Sequence, residues 1–274
     1  MAATLTYAPL PSRALIAIGG PTWRDFLQNL LSQDVDTLKP GEARFAALLT
    51  PQGRLLYDLF VVGGEGGCRL DVAAEHRAAA IQRLMIYRLR AKVEIAADDT
   101  PVSALFGAEA APGAGFVRDP RLPELGWRGY GATAPPGARL ADEAAYEAHR
   151  LALGVPGSAD WGSDRTYPIE ADFDLLNGID FQKGCFVGQE TTSRMKRRGQ
   201  VKSRMLPIVF DGPPPTPGAE VLAGDRRAGE ALSGVPGRAM ALLRLDRIGG
   251  ADLTVEGRPV RAEPPRWLPI SPAP

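Results

Sequence analysis

Phe181-Gln-Lys-Gly-Cys-Phe-Val-Gly-Gln-Glu190, running on through Thr191 to Arg198, packs a thiol, two glycines, an amide, a carboxylate and many cations together as nowhere else in the chain. Gly184 and Gly188 bracket Cys185 too tightly for ordinary helix or strand. Their expected use is a sharp turn and a close backbone approach to a partner or ligand. Lys183 precedes the thiol, and Arg194, Lys196, Arg197, Arg198, Lys202 and Arg204 follow it. Cationic surroundings favour the thiolate, which is the nucleophilic and metal-binding form. The competing reading makes Cys185 a small core residue, as free cysteines often are.

Lys183-Gly-Cys-Phe-Val-Gly-Gln-Glu190 with Arg194 resembles the K-G-C-[YF]-x-G-Q-E…R signature of the folate-binding YgfZ family. That family is related to the aminomethyltransferase (T-protein) of the glycine cleavage system and serves assembly or repair of iron–sulfur proteins. The resemblance implies a T-protein-like α+β fold with mixed or antiparallel sheets and helices, ending in a small β-barrel. It also implies tetrahydrofolate, or a one-carbon derivative, as cofactor.

The bulk numbers agree with a folded chain. At 274 residues, 45% of them apolar, it is long enough for two domains, or one composite domain plus a small one. Thirty-two basic residues cancel 32 acidic ones, so global charge gives no push toward nucleic acid or membrane. Cys68 and Cys185 form no C-x-x-C pair and are too few to hold an iron–sulfur cluster alone. The lack of a long apolar run leads to the expectation of a cytoplasmic protein.

Outward from the signature, the N-terminal half alternates strand and helix patterns. Residues 14–18 read as a buried strand. Trp23, Phe26, Leu27, Leu30 and Leu31 recur as one helical face. Strands are expected at 45–49 and 55–62, joined by the turn Thr50-Pro-Gln-Gly-Arg54, and another at 68–72. A helix is expected at 75–89, with Ile81, Leu84, Met85 and Leu89 inward, then a strand at 92–96. The stretches Phe26–Val35 and Leu49–Leu59 resemble the opening of T-protein-like folate enzymes. Where T-proteins keep two acidic positions after the turn, this chain has Tyr57 and then Asp58, which stands against aminomethyl transfer. Read without the resemblance, Asp58 is a solvated residue on the polar face of a strand.

Residues 100–137 read as irregular connections with a strand or two. Residues 142–153 read as a helix closed by Gly154. Glu170, in Tyr167-Pro-Ile-Glu170, stands where the resemblance implies a pterin-binding glutamate, since a carboxylate accepts both donors on one edge of the ring. Read alone, it belongs to an acidic patch with Asp172 and Asp174. Past residue 203, short strands between turn clusters argue a small β-barrel. The expected division is a folate-binding region at 1–202 and a barrel at 203–274.

Three functions compete. The first is a tetrahydrofolate-binding protein serving iron–sulfur enzymes or cluster-assembly proteins. Cys185 and Lys183 would then be the reactive pair, with Glu170, Asp58, Asn177, Gln189 and Arg194 at the folate. The second is a folate-dependent aminomethyltransferase. The third is a nucleic-acid binder through residues 194–204, ranked last because no aromatics interleave the cations. If folate is the ligand, its polyanionic tail gives those cations a use; otherwise they are a solvated strand edge. No metal site is expected, and His76 and His149 receive no role.

Overall fold

In the computed structural model of the chain, residues 4–108, 112–162, 164–199 and 201–269 are described. Strands β1 (Thr6–Pro9) and β2 (Arg13–Gly19) lead to helix α1 (Trp23–Gln28), then β3 (Ala43–Leu49), β4 (Leu55–Gly64) and β5 (Gly67–Ala73). Helix α2 (Arg77–Arg88) precedes β6 (Glu94–Asp98), β7 (Val102–Phe106), β8 (Phe116–Arg118), β9 (Trp127–Tyr130) and β10 (Arg139–Leu140). Helices α3 (Glu143–Ala152) and α4 (Gln189–Arg198) frame the signature loop. The chain closes with β11 (Ser203–Val209), β12 (Glu220–Ala223), β13 (Arg226–Val235), β14 (Arg238–Arg244), β15 (Leu253–Val255) and β16 (Arg258–Ala262).

These strands make two five-stranded sheets, ordered β3-β4-β5-β2-β6 and β10-β1-β7-β9-β8, and one closed barrel, β11-β14-β13-β12-β15-β16. Every pairing in the first sheet is antiparallel, and β1 with β10 is the parallel exception in the second. The α+β expectation with a terminal barrel therefore holds. The barrel segment, drawn to residue 274, runs past the described residues.

Period-two alternation places the chemistry. On β4, Leu59 and Val61 pack under α1 and α2 with Ile16, Ile18 and Leu70. Asp58 and Phe60 therefore face the other way, toward the second sheet, and Phe60 is paired in register with Asp71 of β5. Asp58 is buried and not solvated. The barrel closes on the body through Trp267, whose Nε1 donates to the Leu153 carbonyl at 2.8 Å, and through Ser233.

Several expectations change. Leu30 and Leu31 are buried, but α1 stops at Gln28; Leu30 follows in a turn and Leu31 bridges to Leu48. Helix α2 starts at Arg77, after a 3-10 turn over Ala74–His76, and buries Ala80 and Leu84. Met85 lies about 100° around from Leu84 and is exposed. Leu89 leaves the helix at φ +43° and is also exposed. The segment 100–137 supplies three strands of the second sheet. The basic run 194–198 is helix α4, not a strand edge. Strands β1 and β13 were missed: β13, Arg-Arg-Ala-Gly-Glu-Ala-Leu-Ser-Gly-Val, has too few large apolar residues to alternate.

Candidate functional site

The signature loop is held by its own charges. Asp180 Oδ1 accepts from the backbone N–H groups of Gln182 (2.7 Å) and Lys183 (3.2 Å), an Asx-type turn. Lys183 Nζ donates to the carbonyls of Gln28, Leu31 and Gln33 at 2.8, 2.7 and 2.9 Å. Burial pushes that ammonium down to about 8, against the opposing pull of Asp34, Asp180 and Asp36. All three protons are spent on carbonyls at the end of α1 and just after it. Lys183 therefore fixes the loop and is not turned to Cys185, which corrects its assignment as the partner of the thiol.

Gly188, at φ +81°, opens α4 and meets Gly53, at φ +83°, in the Thr50–Arg54 turn. A Cβ on Gly188 would stand 2.7 Å from the Thr50 carbonyl oxygen and 2.9 Å from the Gly53 Cα. One on Gly53 would stand 3.0 Å from the Gly188 carbonyl oxygen. The two quoted motifs thus dock backbone to backbone, so the close approach expected of these glycines is made within the chain and not to a partner or ligand. Gly184 meets nothing and needs no such explanation.

Cys185 is exposed at the crest of this loop, whereas Cys68 is buried in β5, its thiol pushed up to about 12 by burial. Several of the cations near it in sequence are bound elsewhere. Arg204 is buried and binds Asp172 (2.7 Å) and Asp174 (2.9 and 3.1 Å). Lys196 pairs with Asp174 at 3.3 Å, and Arg194, Arg197 and Arg198 are exposed on α4.

A second centre lies between the two sheets and α3, a cavity of roughly 570 Å³. Sequence reasoning singled out only Asp58 of its lining. Arg13 donates from Nε to Asp71 Oδ1 (2.6 Å) and from Nη1 to Asp58 Oδ2 (2.9 Å) and Ser158 Oγ (2.7 Å). Ser158 Oγ in turn donates to Asp58 Oδ1 at 2.8 Å. Arg128 binds Asp71 Oδ2 through Nε (2.9 Å) and Nη2 (2.6 Å), and Tyr130 Oη adds a third bond at 3.0 Å. Burial alone would raise Asp71, but Arg128 and Arg13 override it and hold the carboxyl below its ordinary value. Arg121 grips Asp119, and Arg150 grips Glu147 and Asp160. Phe60 is the platform, with the guanidiniums of Arg128, Arg121 and Arg13 at 3.9, 4.8 and 5.5 Å from its ring. The signal for this centre was a charge inside an apolar strand, Leu70-Asp-Val72, and Arg128 between aromatics.

The remaining expected residues are scattered. Glu170 does not line the cavity: its Oε2 accepts from the Tyr167 N–H at 2.9 Å, and burial raises its carboxyl. Asn177, at φ +56°, donates to the Pro120 carbonyl and lines a different groove beside Arg44 and Trp127. Gln189 lines a shallow surface depression with Phe181 and Lys196, and Arg194 is solvent-facing. The structure does not bring Glu170, Asn177, Gln189 and Arg194 together with Asp58. Tyr57 faces α2, its ring 5.5 Å from that of His76, on the side away from the cavity.

Residues 202–270 match the family described as CAF17, C-terminal beta-barrel domain. The human iron–sulfur cluster assembly factor IBA57, a mitochondrial protein, is 31% identical over 88% of this chain and 78% of its own length. The chain belongs to the IBA57 family. The mouse IBA57 is 30% identical over 88% of the chain and 78% of itself, and the homologue from Pyricularia oryzae 31% over 94% and 76%. Among solved structures, the aminomethyltransferase T of the glycine cleavage system from Bartonella henselae superposes with a TM-score of 0.75 at 18% identity. That match covers 94% of this chain and 84% of the other. The T-protein-like fold is thereby shown. The cytoplasmic expectation is corrected, because these IBA57 relatives are named mitochondrial. It had rested on the missing apolar span, which speaks only to crossing a membrane; no described helix is long and apolar enough for that.

Proposed function

We propose that this IBA57-family chain assembles iron–sulfur clusters by offering Cys185 as one ligand of a cluster shared with a second protein. The observation that carries the reading is the pairing of an exposed thiol with a rigidly anchored loop. Clusters of this kind take four protein ligands, mostly thiolates. With Cys68 buried and raised to about 12, the chain supplies one, so the partner brings the rest. The experiment is cluster transfer to an apo iron–sulfur enzyme, followed by absorbance and regained activity. Cys68→Ser should match the parent, and Cys185→Ser should lose transfer while melting at the same temperature. Transfer by Cys185→Ser at the parental rate refutes the thiol's role.

The cavity suits a tetrahydrofolate cofactor, a reduced pterin that carries one-carbon units. Its volume lies in the range of small-molecule sites. The pterin edge presents two donors and needs a carboxylate with capacity to spare. Each oxygen of Asp58 already accepts one bond, from Arg13 or Ser158, and each of Glu143 one from Ser12. Glu147 gives Oε2 to Arg150, while its Oε1 accepts nothing among the described residues. Arg150 overrides burial and keeps Glu147 ionised below its ordinary range. Of these three, Glu147 alone has an oxygen that accepts nothing among the described residues, which makes it the candidate for the donor edge, with Asp58, Arg13 and Ser158 lining the same cavity. Aminomethyl transfer is not favoured, since Tyr57 occupies the first acidic position and turns away from the cavity.

A further inference from the structure

Helix α2 is bound to the first sheet through Ala80 and Leu84, yet its last turn carries the three most accessible large apolar side chains of this region. Met85 is 45% exposed, Ile86 65% and Leu89 87%, so accessibility climbs toward the helix end. Met85 and Ile86 are neighbours in the last turn and Leu89 stands where the chain leaves it, so the three lie together at the end of the helix. Leu89 is also held at φ +43° and ψ −109°, a left-handed conformation costly for a bulky side chain. Neither feature contributes to the core, the cavity or the thiol loop.

The same tip is ringed by cations. Arg83, Arg88, Arg90 and Lys92 have no ion-pair partner among the described residues, and Arg88 lies 4.0 Å from the Met85 sulfur. Glu94 is the carboxylate sharing the groove of Arg88, Arg90 and Lys92. In a chain of balanced charge this is a local positive excess around an apolar tip.

We propose that the end of α2 docks this protein peripherally on an anionic lipid surface. Met85, Ile86 and Leu89 enter the headgroup–acyl boundary, and the four cations reach lipid phosphates by extending along their alkyl stems. A second copy of the chain would set four cations against four. A soluble acidic polypeptide would answer the charge but leave the convex apolar tip without a phase to enter. An interfacial bilayer supplies both.

The test is flotation of the full chain with vesicles of phosphatidylcholine alone or mixed with phosphatidylglycerol. The parent should float with the mixed vesicles alone, and added salt should release it. Ile86→Glu with Leu89→Asn should abolish flotation without changing the melting temperature, asparagine being tolerated at positive φ. Arg90→Ala with Lys92→Ala should weaken partitioning roughly 25-fold, about fivefold per cation. No flotation of the parent, or flotation unchanged in the apolar variant, overturns the proposal. Binding to immobilised polyglutamate without flotation assigns the tip to an acidic protein instead, and light scattering that shows a dimer lost in the apolar variant assigns it to self-association. Either result replaces the lipid.

Discussion

The arginine-lined cavity and the Cys185 loop with α4 use charge in opposite ways. In the cavity, Arg13, Arg121, Arg128 and Arg150 are buried and each is bound to a carboxylate. On α4, Arg194, Arg197 and Arg198 are exposed and have no carboxylate partner among the described residues. Buried charges survive only when paired and hydrogen-bonded, so the cavity is a fixed frame whose spare capacity is confined to a few atoms. Exposed charges cost little to leave free and remain available to whatever approaches. In the proposed reading the first region takes a small ligand and the second meets a macromolecule.

Asp71→Ala is the strongest way to break this contrast. It removes the close carboxylate of Arg128 and leaves Arg13 with Asp58 as its one carboxylate in the protein interior. Removing one partner of a buried pair costs about 3–5 kcal/mol, read as a shift of the denaturant midpoint. A loss below about 1 kcal/mol would mean that the frame relaxes like a surface, and the contrast would fail.

Glu147→Gln sharpens the cavity's side of the comparison. Losing a charge-assisted acceptor costs about 1.5–3 kcal/mol, roughly ten- to a hundred-fold in tetrahydrofolate affinity by calorimetry. Glu170→Gln serves as the contrast and should leave affinity unchanged, since that carboxylate serves the Tyr167 N–H. No binding by the parent refutes the cofactor. Equal binding by Glu147→Gln refutes the residue.

Gly188→Ala probes the contact between the motifs. At φ +81° with a Cβ 2.7 Å from the Thr50 carbonyl oxygen, it should cost on the order of 1–3 kcal/mol and displace the loop. Cluster transfer should fall while tetrahydrofolate affinity stays parental. A parallel loss of both would show the two regions to be one coupled unit.

Lys183 gives the loop a pH signature. Its pKa is lowered on folding, so between about 8 and its ordinary 10.4 the unfolded chain holds a proton that the folded one releases. Stability should therefore rise with pH across that window, and the rise should vanish in Lys183→Met. A flat difference between parent and variant from pH 7.5 to 10 would show the ammonium to be solvated. The smallest effect belongs to Arg198→Ala, within about 0.5 kcal/mol of parental stability.

Much of the fold was legible because it is written locally. Turn residues, period-two runs and the glycine-bracketed octapeptide declare strands, hairpins and the loop without reference to distant residues. The barrel was legible from its turns except for β13, whose small residues pack well inside a narrow closed sheet yet show no apolar period. Met85 and Leu89 misled for the converse reason: apolar spacing along a helix does not say where the helix ends or how wide its partner is.

The site divided along the same line. The sequence alone marked Cys185 on a glycine-bracketed stretch and Thr50–Arg54 as a turn between strands; that the two dock was decided by the tertiary structure. Tertiary structure decided which charges meet. Lys183 turned to the α1 carbonyls, Glu170 to its own turn, and Asp71, Arg128 and Glu147 came together from β5, β9 and α3. The reason is energetic: a buried ion is stable only against a partner at about 3 Å, and that partner stands at no fixed distance along the chain. Local sequence sets the backbone's turns, but the pairing of buried charges is settled only when the sheets and α3 close over them.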